Sequence, residues 1–464
     1  MVLTAVLAYV SLQVVFGLYA SRRIHTEDDY LIGGRRIGPA LATFSIFATW
    51  FGAETCIGAA SQAYSGGLSA LAVEPFGFGV CLLLMGLIFA GPLWRLRLTT
   101  LADLFRDRFG VSAERLSVLL MVPTSILWAA AQIRAFGQIL AFTSHLEVEL
   151  AVLLAAVVVI VYTSLGGFLA DAVSDLVQGL VLAIGLVILA LVMVSRGGAE
   201  LSFLALPAER FRAAASSTPT LDLLELLAVP ILGSIFAQEL VARVVAARSA
   251  KIARRSSVTA AGIYFFVGLI PVALGLAGAG GGLELDHSEQ VLVHMAEIYL
   301  PGALFIIFAG ALISAILSTV DSALLVSGSL VAHNLVLKLW PTADQKRRVR
   351  VNRIAVVAAG VVAYGLTLSN SSVWDLVIES SGFGSAGIFV AVVIGMYTRF
   401  GGERSAIAAL LAGVFVWVWT AHLRPIDHPF LVSLGASFVA YALFATRGLG
   451  SHHSQGSLRS NNRG

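Results

Sequence analysis

Residues 315–322 of this chain read AILSTVDS, and Ala315, Ser318, Thr319 and Ser322 are spaced i, i+3, i+4 and i+7, which puts them on one face of a helix. Hydroxyls are hard oxygen donors, suited to a dehydrated alkali cation and not to a soft metal. Ser and Thr on a helix face also serve close helix packing, so the hydroxyls alone leave both readings open. Asp321 stands beside that face inside a long apolar window. An ionised carboxylate near the centre of a membrane helix costs about 2.5–3.5 kcal/mol and needs a partner. A second acid, Asp175, shares a helix face with Gln178 and with Asp171, the latter placed toward the surface end. The partner of such an acid is a bound cation or a basic side chain such as Arg134.

Two apolar windows carry breaks. In ATWFGAETCIG, Gly52 and Gly58 flank Glu54 and Thr55; in AVPILGSIFAQE, Pro230 and Gly233 fall mid-window. A broken helix frees carbonyls that coordinate cations and exposes half-helix N-termini that favour anions. Gly and Pro are frequent in membrane helices anyway, but their recurrence at corresponding points of two halves favours the functional reading.

The elements that must position these residues are membrane helices. Of 464 residues, 58% are hydrophobic and 12% charged, against about a quarter charged in soluble domains. Apolar windows long enough to span a bilayer lie at residues 2–20, 39–61, 68–94, 116–142, 148–165, 172–194, 224–244, 258–276, 302–332, 354–368, 373–397, 405–422 and 430–446. The expectation is an all-α polytopic protein of about thirteen transmembrane helices. Basic residues cluster in alternate loops, at Arg22–Arg36, Arg95–Arg115, Arg248–Arg255 and Lys346–Arg350. The positive-inside rule makes those loops cytoplasmic, the N-terminus external and the C-terminus internal, although the external loop 195–223 carries Arg196, Arg210 and Arg212. Cys56 and Cys81 lie in apolar windows as small core hydrophobes. The first window lacks a preceding positive residue and reads as a retained span. A net charge of +3 gives no sign of nucleic-acid binding, and His/Glu metal spacings, a GxSxG elbow and a P-loop are not found, so no enzyme is expected.

With the first window set aside, windows two to six and seven to eleven form two groups of five, which is the parity of an inverted repeat. The motifs DDYLIGGRRIGP, YTSLGGFLADAVSDLVQ, AARSAKIARRSS and AILSTVDSALL, in this order, make the chain resemble the sodium:solute symporter family of proline, sialic acid, sugar and choline carriers. That resemblance implies a leucine-transporter-type fold: one domain over residues 1–446, with an extra helix at 1–20, repeats at 39–194 and 224–397, two last helices at 405–446, and a disordered cytoplasmic tail at 447–464. It implies a main sodium site from the carbonyls of Ala48, Phe51 and Ala315 and the hydroxyls of Ser318 and Thr319. It further implies a second cation site at Asp175, Ser318 and Ser322, where Asp321 replaces another hydroxyl and alters ion number or takes a proton. The implied solute cavity involves Trp50, Glu54, Trp128, Gln132, Phe236, Gln238 and Glu239; the alternative for Glu239, from its spacing, is an i+4 pair with Arg243. Trp50 with Glu54 suits a cationic or zwitterionic amine. The expected function is sodium-coupled import of a small organic solute across the inner membrane by alternating access, with lipid and solute as the partners and no obligatory protein partner. Proton coupling in the same fold and a non-transporting solute sensor are the alternatives.

Overall fold

The computed structural model describes residues 26–67, 71–144, 146–166, 168–197, 220–280, 283–368 and 372–446. The first apolar window, the loop after residue 197 and the tail from 447 lie outside them. The described chain is helical: α1 Glu27–Ile32, α2 Pro39–Trp50, α3 Glu54–Gly66, α4 Val73–Arg95, α5 Leu101–Phe109, α6 Val111–Ser144, α7 Val148–Gly166, α8 Phe168–Gly197, α9 Thr220–Gly233, α10 Gln238–Ala246, α11 Ala250–Gly280, α12 Val291–Tyr299, α13 Gly302–Leu339, α14 Gln345–Thr367, α15 Val373–Tyr397, α16 Glu403–Leu423 and α17 Pro429–Thr446. Among the described residues, nine helices are long and apolar enough to cross a membrane, or up to eleven if each of two bent pairs counts as one span. The expected thirteen is not reached there: the first window is outside the described residues, and α17 is a shorter apolar helix. Helix α14 starts well before its apolar window because Asp344 caps it, accepting from the Arg347 amide at 3.0 Å, so the basic run becomes helix.

Position in the bundle follows composition. In α13, 72% of the most apolar window is buried, against 33% in α8 and 28% in α14. The hydroxyl-bearing helix is therefore the core, while α8 turns Val177, Ile184 and Leu191 outward and keeps Asp171 and Asp175 inside. Small residues let backbones touch where apolar packing alone holds helices together in lipid. A Cβ on Gly275 of α11 would lie 2.2 Å from the Ala60 carbonyl of α3.

The described parts of the four basic segments meet at one end of the bundle. Arg35 donates to the Arg97 and Leu98 carbonyls at 2.8 and 2.7 Å, Trp94 Nε1 donates to the Ala247 carbonyl at 2.6 Å, and Arg348 pairs with Glu27 at 2.9 Å. His333 lies between Glu27 (2.9 Å) and Asp103 (3.6 Å). Burial pushes both carboxyls up, but His333, with Arg348 on Glu27 and backbone amides on Asp103, holds each below the usual carboxylate range. At the other end Arg134 pairs with Glu289 at 3.6 Å, so it is not the partner of a membrane aspartate. His422 and His428 contact Glu379 and Asp222 at 3.1 and 3.5 Å.

Candidate ion and solute site

The site grows from two bends, 47° between α2 and α3 and 46° between α9 and α10. At the first, the Gly52 amide, which an unbroken helix would direct to Ala48, donates to the Trp50 carbonyl at 3.0 Å. The next amide, of Ala53, donates to Gln132 Oε1 at 3.0 Å. The Ala48 carbonyl is thereby released and meets Thr319 Oγ1 of α13 at 3.4 Å; that hydroxyl also reaches the Ala315 carbonyl at 3.1 Å. Glycine is required for this approach, since a Cβ on Gly52 would sit 2.5 Å from Thr319 Oγ1. Ala48, Phe51, Ala315, Ser318 and Thr319 are all buried, with Phe51 at the bend itself. Ser318 donates its hydroxyl to Asp175 Oδ1, and Thr319 is the hydroxyl of α13 that touches the released carbonyl.

Asp175 also accepts from Ser45 at 2.6 Å and pairs with Arg243 at 3.1 Å. Arg243, 1% exposed, also pairs through Nη2 with Asp171 at 3.3 Å; the same nitrogen lies 2.5 Å from Ser322 Oγ, and Nε donates to Ser45 at 3.0 Å. Ser322 in turn donates to Asp171 at 2.8 Å. Asp171 is thus not at the surface: it and Asp175 are both 0% exposed. The basic partner is Arg243 and not Arg134, and Arg243 meets Glu239 at its backbone carbonyl, 3.2 Å away, and not in the i+4 side-chain pair that was the alternative to a cavity role for Glu239. Asp321 takes no part in these ion pairs and has the hydroxyls of Thr163 and Tyr162 of α7 as its neighbours. Arg243 carried a signal in the sequence, being a single basic residue inside an apolar window that faces unpaired acids of another.

The seven residues expected at a solute cavity separate into two groups. Trp50, Trp128, Phe236, Gln238 and Glu239 line a cavity of about 40 Å³ at the second bend. Trp50 and Trp128 pack edge to face at 4.9 Å between ring centroids, and Gln238 Oε1 caps α5, accepting from the Leu101 amide at 2.6 Å. Glu54 and Gln132 are not among the lining residues; Gln132 Nε2 donates to Glu54 Oε2 at 2.9 Å and buttresses the first bend. Beside them is a group that sequence reasoning missed. Glu74 of α4 accepts from Tyr264 of α11 at 2.8 and 2.9 Å, and Thr55 lies 2.6 Å from that phenol and 3.0 Å from the Trp50 carbonyl. Glu54 and Glu74 are both 0% exposed. Among the described residues neither forms an ion pair with a basic side chain. Glu74 was legible as an acid inside an apolar window. The cavity serines Ser234, Ser381 and Ser385 gave no such signal, because Ser is common in membrane helices.

The model of the sodium:solute symporter family matches residues 30–413. The chain is 26% identical to the human high affinity choline transporter 1 over 89% of this chain and 76% of that protein. It is also 26% identical to the osmoregulated proline transporter OpuE of Bacillus subtilis (strain 168), over 89% of this chain and 87% of that protein. A solved structure of a Na+-coupled sialic acid symporter, substrate-bound and outward-open, superposes with a TM-score of 0.83 at 18% identity, covering 96% of this chain and 98% of that one. At that identity the likeness speaks to the fold.

Proposed function

The chain belongs to the sodium:solute symporter family, and on that basis we propose that it couples the entry of sodium to the uptake of a small organic solute. Sodium is held by the carbonyls of Ala48, Phe51 and Ala315 with the hydroxyls of Thr319 and Ser318, between the first bend and α13. The observation that carries this reading is the released Ala48 carbonyl facing Thr319 at 3.4 Å across a glycine that admits no side chain. Such a site couples only if it loses ligands when α13 and the bend separate, because an ion that binds both conformations equally shifts nothing. The two bends belong to the first helices of two inverted five-helix halves. The basic end faces the cytoplasm of the inner membrane, with the N-terminus outside, so the membrane potential adds about 2.3 kcal/mol per charge per 100 mV to inward release.

The second cation site expected at Asp175, Asp321 and Ser322 takes a different form in this reading. The Arg243 guanidinium between Asp171 and Asp175 is a tethered cation that stands where a second ion would bind, so the cycle carries one sodium. In proteoliposomes, Ser318→Ala with Thr319→Ala removes sodium-dependent uptake while the protein still inserts and purifies; unchanged uptake refutes the assignment. The nearest rival is proton coupling, favoured by the Glu54 and Glu74 carboxyls without a basic partner. Uptake that survives replacement of sodium by potassium at fixed pH, and vanishes when the pH gradient is collapsed, selects that rival.

A further inference from the structure

Three buried polar atoms on the wall of the solute cavity have no hydrogen-bond partner: Glu239 Oε1, Trp50 Nε1 and Trp128 Nε1. Their residues are 4%, 1% and 4% exposed. Folded proteins rarely leave such atoms unpaired, since each costs about 1–3 kcal/mol. Here three of them border one cavity.

Their chemistry is of two kinds. An indole N–H only donates, so Trp50 and Trp128 call for an acceptor; an ionised carboxylate only accepts, so Glu239 calls for a donor, best a cationic one. Glu239 is the one ionisable residue among those that line the cavity. Its carboxylate has the Ser125 hydroxyl as a neighbour but no ion pair: Arg243 touches its backbone carbonyl and gives its side-chain ion pairs to Asp171 and Asp175. The faces of Trp50 and Trp128, in edge-to-face contact, add an aromatic surface that attracts a cation. A plain anion would meet Glu239 with its own charge, and a plain cation would leave both indoles unpaired.

We propose that the solute is a small zwitterion, its ammonium held by Glu239 against the Trp50 and Trp128 rings and its carboxylate taken by their indole N–H groups. This rests on the reading of the cavity as the solute site. It moves the charge-recognising acid from Glu54, which buttresses the first bend, to Glu239 at the second.

The test is the thermal unfolding of the purified full chain in lipid nanodiscs with sodium present, against four probes. L-Proline and L-alanine carry both charges, with N–H donors on the cation, methylammonium only the cation, and propionate only the acceptor. A zwitterion raises the unfolding midpoint and neither half-molecule does. Glu239→Gln abolishes that shift and Glu239→Asp retains part of it. Trp50→Phe, which keeps a ring and loses the N–H, weakens binding about fivefold to tenfold, the value of one hydrogen bond. The proposal is overturned if methylammonium or propionate stabilises as well as the zwitterions, if Glu239→Gln binds unchanged, or if none of the probes shifts a protein that still responds to sodium. A protein that responds to neither sodium nor probes sinks the symport reading instead, so the two failures are distinguishable.

Discussion

The two bends have nearly the same angle, 47° and 46°, and opposite chemistry. At the first, amides are drawn inward to Trp50 and Gln132, the Ala48 carbonyl is released, and the neighbours are oxygens: Thr319, Thr55, Glu54, Glu74 and Tyr264. At the second, Gly233 lies so close to the Ser381 carbonyl that a Cβ would come within 2.2 Å. The Ala237 amide turns back to Ser234 at 3.0 Å, and the chain opens onto a cavity where one Glu239 carboxylate oxygen, Oε1, has no partner. A bend alone therefore does not specify a ligand. What specifies it is the helix packed against the bend: hydroxyl-bearing α13 for the first, and the tryptophans of α2 and α6 for the second.

The largest effect separates the two bends outright. Gly52→Val places a side chain where Thr319 Oγ1 stands, 2.5 Å from the new Cβ, and sodium-dependent uptake falls to background. The sodium-induced thermal shift disappears with it. Gly233→Val, by contrast, leaves the sodium shift in place while removing the response to solute. Equal loss of both responses in both variants would show that the bends are one site and not two.

Next in size is Arg243, the strut between the bends: it stands on α10, beyond the second, and holds α2 through Ser45, α8 through two aspartates and α13 through Ser322. Arg243→Met leaves Asp171 and Asp175 buried without a counter-charge and costs about 3–5 kcal/mol, seen as a lowered midpoint and poor recovery from the membrane. Adding Asp171→Asn to Arg243→Met recovers part of the loss. A smaller effect is expected beside the first bend, where Tyr264→Phe removes the buried hydroxyl that serves Glu74 and the Thr55 side chain. About 1–3 kcal/mol of stability is lost, with sodium binding weakened less than by Gly52→Val.

Much of this arrangement was legible in advance, and the residues show why. Helix spacing alone put Ser318, Thr319 and Ser322 on one face, and Gly52 and Gly233 marked both bends, because periodicity and backbone permissiveness are local properties. Pairing between distant helices is not local. Nothing in the spacing of Asp171, Asp175 and Arg243 says that one guanidinium serves both acids, or that Arg134 is drawn off to Glu289. The separation of Glu54 from Glu239 has the same origin: both are acids beside a break expected at one cavity, and only the packing of Gln132 against one and the opening of the cavity at the other separates them.

The smallest effect tests whether both arms are anchored at the basic end. Helix α1, which leads into α2, is tied by Glu27 to His333 and Arg348, and Ile37 pairs with the strand-like turn after α10 through its amide to Ala246 at 3.3 Å. Glu27 and Asp103 are held below their ordinary values of 4.5 and 3.8, so the folded state favours their ionised forms. Their contribution is therefore complete above those ordinary values and is lost as the pH falls through the lower folded-state values. The unfolding midpoint should decline on acidification into that range, and Glu27→Gln should remove part of the decline while leaving the midpoint at neutral pH only slightly lowered. Because the clasp shares no residue with the proposed sodium site, sodium should shift the midpoint of Glu27→Gln as much as that of the parent; a reduced sodium shift would mean that the first bend is held open from the basic end and not by α13 alone.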